Sequence, residues 1–140
     1  YNYFDMENGI DYLVYEACEH EKEKFISMIN QKRFDLNSGE ETGYEELIVN
    51  ENLASFAESI VSAYNNGEPI DTKYECRCYE AKDAETAMRE NYTNPIEQGA
   101  DIDVFGELRK NTKSIGVGIL FDREKMICVW AVMAASETDI

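Results

Sequence analysis

The chain predicts an α+β fold in which helices come first and an antiparallel hairpin comes last. Three observations carry this prediction. Apolar residues recur at helical spacing in two long segments of the first half, the C-terminal part changes to a two-residue alternation, and no alternating strand-helix units lie between them. With 140 residues and 44% hydrophobic content, the chain fits one domain with one core. That domain is read over residues 12–136, with an aperiodic N-terminal arm over 1–11 and a short tail over 137–140.

The first helix is expected over residues 12–33, where Val14, Ala17, Cys18, Phe25, Met28 and Ile29 recur at helical spacing and Glu19, Glu21, Lys22, Glu23 and Lys24 take the wet side. Asn37, Ser38, Gly39 and Gly43 then mark an aperiodic, acidic stretch, expected to be a mobile loop open to proteolysis. In the second helix Leu53, Phe56, Ala57, Ile60, Val61 and Tyr64 fall on one face, Asn50 offers an N-cap, and Asn65-Asn66-Gly67 ends the run. Alternation from Tyr74 to Tyr79 predicts a short strand with Cys76 and Cys78 on one side. A third helix carries Ala81, Ala84, Met88 and Tyr92 inward and is expected to stop before Pro95, whose ring disfavours helical geometry in the preceding residue.

A further short helix is expected near Asp101 or Asp103, where carboxylates meet unpaired N–H groups, and it brings Val104, Phe105 and Leu108 to the core. Ile115, Val117, Ile119 and Phe121 then alternate with Ser114, Gly116, Gly118 and Leu120. Residues 122–125 turn, and Met126–Met133 forms an apolar strand buried on both faces. The arrangement implied is a small antiparallel sheet between helical layers.

Charge narrows the function classes. The chain has 29 acidic and 13 basic residues, a formal charge of -16, and such a field repels phosphate backbones and anionic lipid surfaces. Nine Tyr, six Phe and one Trp supply the apolar mass that a disordered acidic chain lacks. The longest uncharged apolar run, Met126–Ser136, is too short to span a bilayer. With no secretory n-region and h-region visible before Tyr1, the segment is expected to be a mature, extracellular piece that has lost a signal peptide, with a C-terminal anchor following Ile140.

Cys18, Cys76, Cys78 and Cys128 are even in number and scattered, which favours disulfides over a zinc site. Closing Cys76 on Cys78 needs a strained ring, so two pairings remain open, each joining the centre of the chain to both ends. The sequon Asn91-Tyr92-Thr93 is a candidate glycosylation site.

Catalytic chemistry finds little support. His20 is the only histidine and lies on the charged stripe of the first helix, so no Ser-His-Asp or Cys-His set is expected. Cys76-x-Cys78 lacks the two-residue gap of thioredoxin-like sites. Asp101, Asp103 and Glu107 lack the spacing of a calcium loop. No cofactor or metal is expected. Glu40, Glu41, Glu45 and Glu46 form a solvated acidic loop that is the candidate contact surface, and its partner should be cationic.

The run from Phe105 to Gly118, with Lys110, Thr112, Ile115, Gly116 and Gly118 on the pattern, resembles a signature of the CAP superfamily of cysteine-rich secretory, antigen 5 and pathogenesis-related proteins. Val49 to Ala54 with Ala57 is similar to the second helix of that family, and the strand through Cys128 to its last strand. The four-cysteine layout is most similar to divergent CAP-like surface antigens of coccidian parasites such as Eimeria. The histidine and glutamate cleft common in the family is not matched, since Asp103 stands where one histidine is expected and only His20 echoes the other.

This resemblance implies a three-layer α/β/α sandwich acting as a non-catalytic surface antigen of a parasite. It would be lipid-anchored through a tether outside this segment and would contact a host cell-surface protein, a glycan or an antibody. The competing expectation is a secreted CAP-type domain with a residual cleft for a small lipid, a metal ion or hydrolysis. That reading requires either His20 to converge with two carboxylates or an enlarged apolar cleft.

Overall fold

The computed structural model describes residues 6–140, with side chains from residue 14 onward. Helix α1 (Met6–Leu36) is followed by strand β1 (Ile48–Val49), helix α2 (Glu51–Asn65), strand β2 (Glu75–Ala81) and a short helix α3 (Ala84–Met88). A wide π-turn (Arg89–Thr93), a one-turn helix α4 (Asn94–Glu97) and two 3₁₀ turns lead to the hairpin of β3 (Ser114–Asp122) and β4 (Ile127–Ala135). The fold is mixed α+β around a four-stranded sheet of order β1-β3-β4-β2.

The sheet is mixed rather than antiparallel, because β1 pairs parallel to β3 through Ile48 opposite Ser114 and Val49 opposite Ile115. Two residues are too few to show a strand period, so this edge is invisible in the sequence. The other pairs are antiparallel, with β4 central between β3 and β2. A central strand must be apolar on both sides, and β4 divides its residues between two cores. Cys128, Trp130 and Val132 face α1 and α3, while Val129, Ala131, Met133 and Ala135 face α2.

Helix α2 follows its pattern: Asn50 accepts hydrogen bonds from the Asn52 and Leu53 amides, and Leu53, Ala57, Ile60 and Val61 are buried. Phe56 and Tyr64, at the margins of the stripe, remain 46% and 38% exposed. The helix lies directly on β3. A Cβ at Gly116 would overlap the Leu53 carbonyl carbon, and one at Gly118 the Ala57 carbonyl, so both glycines are required by the close approach of two backbones.

Helix α1 differs from its expected form. It begins at Met6, inside the stretch read as an arm, and residues 1–5 of that stretch lie outside the described residues. Its inward stripe runs Cys18, Lys22, Phe25, Ile29, Arg33, with Arg33 fully buried and Lys22 half-buried. Lys22 reaches round the sheet edge at β3, pairing with Glu19 at 2.9 Å and with Glu58 of α2 at 3.7 Å. A charged cover of this kind keeps an edge strand from pairing with other chains. Glu21, also expected on the wet side, accepts the Ala84 amide at 2.9 Å and caps α3 together with Asp83.

The chain does not leave helical geometry before Pro95: Asn94 is helical, and Pro95 sits in the first turn of α4. Two features permit this. A first-turn proline has no intrahelical N–H bond to lose, and the preceding π-turn sends the Asn94 amide back five residues to the Arg89 carbonyl. The tail is tied down as well, since Ser114 Oγ donates to the Glu137 carbonyl at 2.6 Å and the Asn50 amide group donates to the Thr138 carbonyl at 3.2 Å.

Candidate functional site

The acidic loop between α1 and β1 is built on three polar side chains spaced three and four residues apart, Asn30 and Arg33 on α1 and Asn37 just past its end. Asn30 exchanges two hydrogen bonds with the Leu47 backbone, and Asn37 does the same with Tyr44. Arg33 lies between them and is fully buried. Its Nε donates to the Glu45 carbonyl at 2.7 Å, one terminal nitrogen to the Glu107 and Arg109 carbonyls at 2.9 and 2.7 Å, and the other to Thr112 at 3.3 Å. Burial holds its pKa below the ordinary arginine value. Four carbonyls, with no carboxylate, thus solvate an interior cation, and they fasten the loop and the segment 107–112 to one helix.

The loop expected to be mobile is therefore anchored along its second half. From outside, Lys110 Nζ reaches Glu41 at 2.7 Å and Lys113 reaches Glu45 at 3.3 Å, and the Tyr44 ring packs beneath the Lys110 ammonium at 5.4 Å. Lys110 holds the Glu41 carboxyl below its usual range. Of the four candidate contact residues, Glu41 and Glu45 are thus paired, while Glu40 and Glu46 are exposed and form no ion pair among the described residues.

A second cluster of charge lies inside. Tyr92 donates to the Glu107 carboxylate, Tyr79 meets the Tyr92 hydroxyl at 3.0 Å, and Arg77 stacks its guanidinium 4.7 Å from the Tyr92 ring and 4.8 Å from Phe105. Arg77 and Glu107 are 3.8 Å apart. Glu107 is 1% exposed and Tyr92 fully buried, and burial raises the pKa of both. Arg77 is the most exposed member, with 31% of its side chain in solvent. This network organises the core under α1.

The cysteines take positions that the open pairings do not fit. In an antiparallel pair, opposite residues share a face, so Cys76 opposite Met133 and Cys78 opposite Ala131 face α2, whereas Cys128 faces α1. Cys18, on α1, lies against Cys128. Both cross-linked patterns would have to join residues that face opposite sides of the sheet. All four side chains are thiols here, with the Cys76 and Cys78 sulfurs 4.0 Å apart.

His20 is exposed on α1, and among the described residues no three His, Cys, Asp or Glu side chains converge as a metal site. Asp101 caps the first 3₁₀ turn through the Asp103 amide. Val104, expected in the core beside Phe105 and Leu108, is 61% exposed, because a 3₁₀ turn points it outward. The Asn91 amide nitrogen, the atom a glycan would take, donates to the Ala87 carbonyl at 3.1 Å. An open polar cleft of about 180 Å³ lies beside Gly106, but its Arg109 is engaged by Glu75 and by the Asp103 carbonyl. No described helix is long and apolar enough to cross a membrane.

No protein-family model and no curated protein matches the sequence. Among solved structures, the chain aligns with an outer surface protein of Borrelia burgdorferi at a TM-score of 0.56, over 82% of this chain and 91% of that one. The two share a fold. At 14% identity the likeness is one of backbone architecture and says nothing of individual side chains.

Arg33, Asn30, Asn37, Lys22 and Glu107 are organising residues that periodicity does not single out. The signal is present in part: Asn30 and Arg33 lie one turn apart on α1, and Asn37 continues that spacing just past its end.

Proposed function

We propose that this is a non-catalytic domain displayed outside the cell, a CAP-like surface antigen of a parasite that contacts a host surface protein, glycan or antibody. The observation that carries the reading is the anchored acidic loop. Asn30, Arg33 and Asn37 hold the backbone at Leu47, Glu45 and Tyr44 from below, so Glu46 is presented on an ordered surface with the exposed Glu40 beyond it. A pre-ordered loop loses less entropy on binding than a mobile tail, which distinguishes presentation from mere solubility. The net charge of -16 favours a cationic partner. The fold shared with a bacterial outer surface protein supports the setting, and the sealing of Glu107 beneath α1 supports a role without catalysis. In this reading the helices on the two faces of the sheet are the outer layers of a CAP-like sandwich, and a lipid anchor outside this segment holds the domain at the membrane.

Antibodies raised against the purified domain test the setting. They should stain intact, unpermeabilised cells of the source organism. Staining that required permeabilisation would remove the surface assignment.

A further inference from the structure

We infer that, when oxidised, this chain closes two disulfides, Cys18–Cys128 and Cys76–Cys78, one on each face of the sheet. A disulfide needs Cα atoms within about 7 Å and side chains directed at one another. Cys128 and Cys78 fail both conditions: Cys78 stands opposite Ala131, three residues along β4 and roughly 10 Å away at strand spacing, and the two point to opposite faces. Cys18 belongs to the α1 core with Cys128, while Cys76 and Cys78 pack against the α2 core. The sheet itself sorts the four thiols into two pairs.

Cys18 and Cys128 are buried together in the core under α1, and the Cys76 and Cys78 sulfurs are 4.0 Å apart on consecutive same-face positions of β2. Either thiol of a pair can open the exchange, which is written here from Cys18 and from Cys78.

With oxidised glutathione as oxidant, the Cys18 thiolate attacks one of its sulfurs, giving a mixed disulfide and expelling one glutathione thiolate. The Cys128 thiolate then attacks the Cys18 sulfur, forms the protein S–S bond and expels the second glutathione. The two cysteines lose two protons and two electrons, and one glutathione disulfide becomes two thiols. The same exchange, begun by Cys78, closes Cys76–Cys78. The strain that argued against closing Cys76 on Cys78 in the sequence remains, but the strand register leaves these two thiols no other partner on their face, so theirs is the bond that a mild reductant opens first. Cys18–Cys128 joins α1 to β4 and encloses most of the chain, which makes it the stabilising bond.

The inference deepens the extracellular reading, which supplies the oxidant, but the pairing is a property of the fold and is tested on purified protein. The protein is refolded with oxidised and reduced glutathione, alkylated and digested with trypsin without reduction. The expected map joins the peptide ending at Lys22 to the peptide beginning at Met126. Cleavage after Arg77 should leave residues 74–77 joined to residues 78–82. The unfolding midpoint should rise on the order of 10 °C over the reduced protein, and the rise should be lost in Cys18→Ser. A peptide ending at Lys22 joined to either half of the 74–82 segment, or Cys18 and Cys128 recovered fully alkylated, would overturn the inference. Because no cell is involved, such a failure would leave the surface-staining result standing, and intracellular staining would leave the pairing standing.

Discussion

The two faces of the sheet are held by different physics. On the α2 side, Leu53, Ala57, Ile60 and Val61 lie on Val129, Ala131 and Met133, and the helix backbone approaches β3 closely enough to need glycine at Gly116 and Gly118. Shape does the holding there. On the α1 side, Phe25, Ile29 and Trp130 share the interior with a buried guanidinium, a buried carboxyl and two linked tyrosines. There, hydrogen bonds from one helix reach carbonyls of segments that are distant in sequence. The loop-bearing face is organised by polar side chains, and Arg33 ties the acidic loop at Glu45 to the segment 107–112.

The sharpest way to break this contrast is Arg33→Met. The substitution keeps much of the volume but strips four carbonyls of their donor, and a loss of about 4 kcal/mol is expected from urea unfolding. Limited proteolysis should at the same time begin to cut within residues 38–43. Equal protease resistance in the variant would mean that the loop is ordered by something else. Gly118→Ala tests the opposite face, where the added methyl meets the Ala57 carbonyl, and a loss of about 2–3 kcal/mol is expected with no new cleavage in the acidic loop.

Glu107→Gln separates the polar face from the apolar one by pH. Because burial raises the Glu107 pKa above 4.5, the native state holds this proton more tightly than the unfolded chain does. Its contribution is most favourable at low pH and is lost as pH rises through the folded value. Gln can still accept from Tyr92 and does not titrate. Melting temperatures of the two proteins should therefore differ in slope, with the native protein falling relative to the variant as pH climbs from the carboxylate range toward neutral. Parallel curves would show that Glu107 ionises without penalty. Lys22→Met should cost less than about 1 kcal/mol, since its partners are largely exposed, and its visible effect should be self-association through the uncovered β3 edge, detected by sedimentation.

How far the sequence could be read follows from the same contrast. The stripe of α2, the hairpin, the shared face of Cys76 and Cys78 and the two-sided burial of β4 are all set by periodicity, because apolar packing repeats with the backbone. Lys22 and Arg33 escape such a reading because a charged residue is buried only where distant groups receive it, and no local pattern records those groups. The parallel edge of β1 and the passage of helical geometry through Pro95 depend on one or two residues each. The cysteine partners depend on which face of the sheet each residue occupies, and that is known only with the strand register.

The account stands most directly on the acidic loop as an ordered contact surface. Association of the purified domain with host cells should be followed at low and at physiological ionic strength, for the native protein and for Glu40→Gln with Glu46→Gln. The expected result is an association rate that falls with salt and falls again in the double variant, with dissociation little changed. An association rate indifferent to both salt and the two substitutions would contradict it.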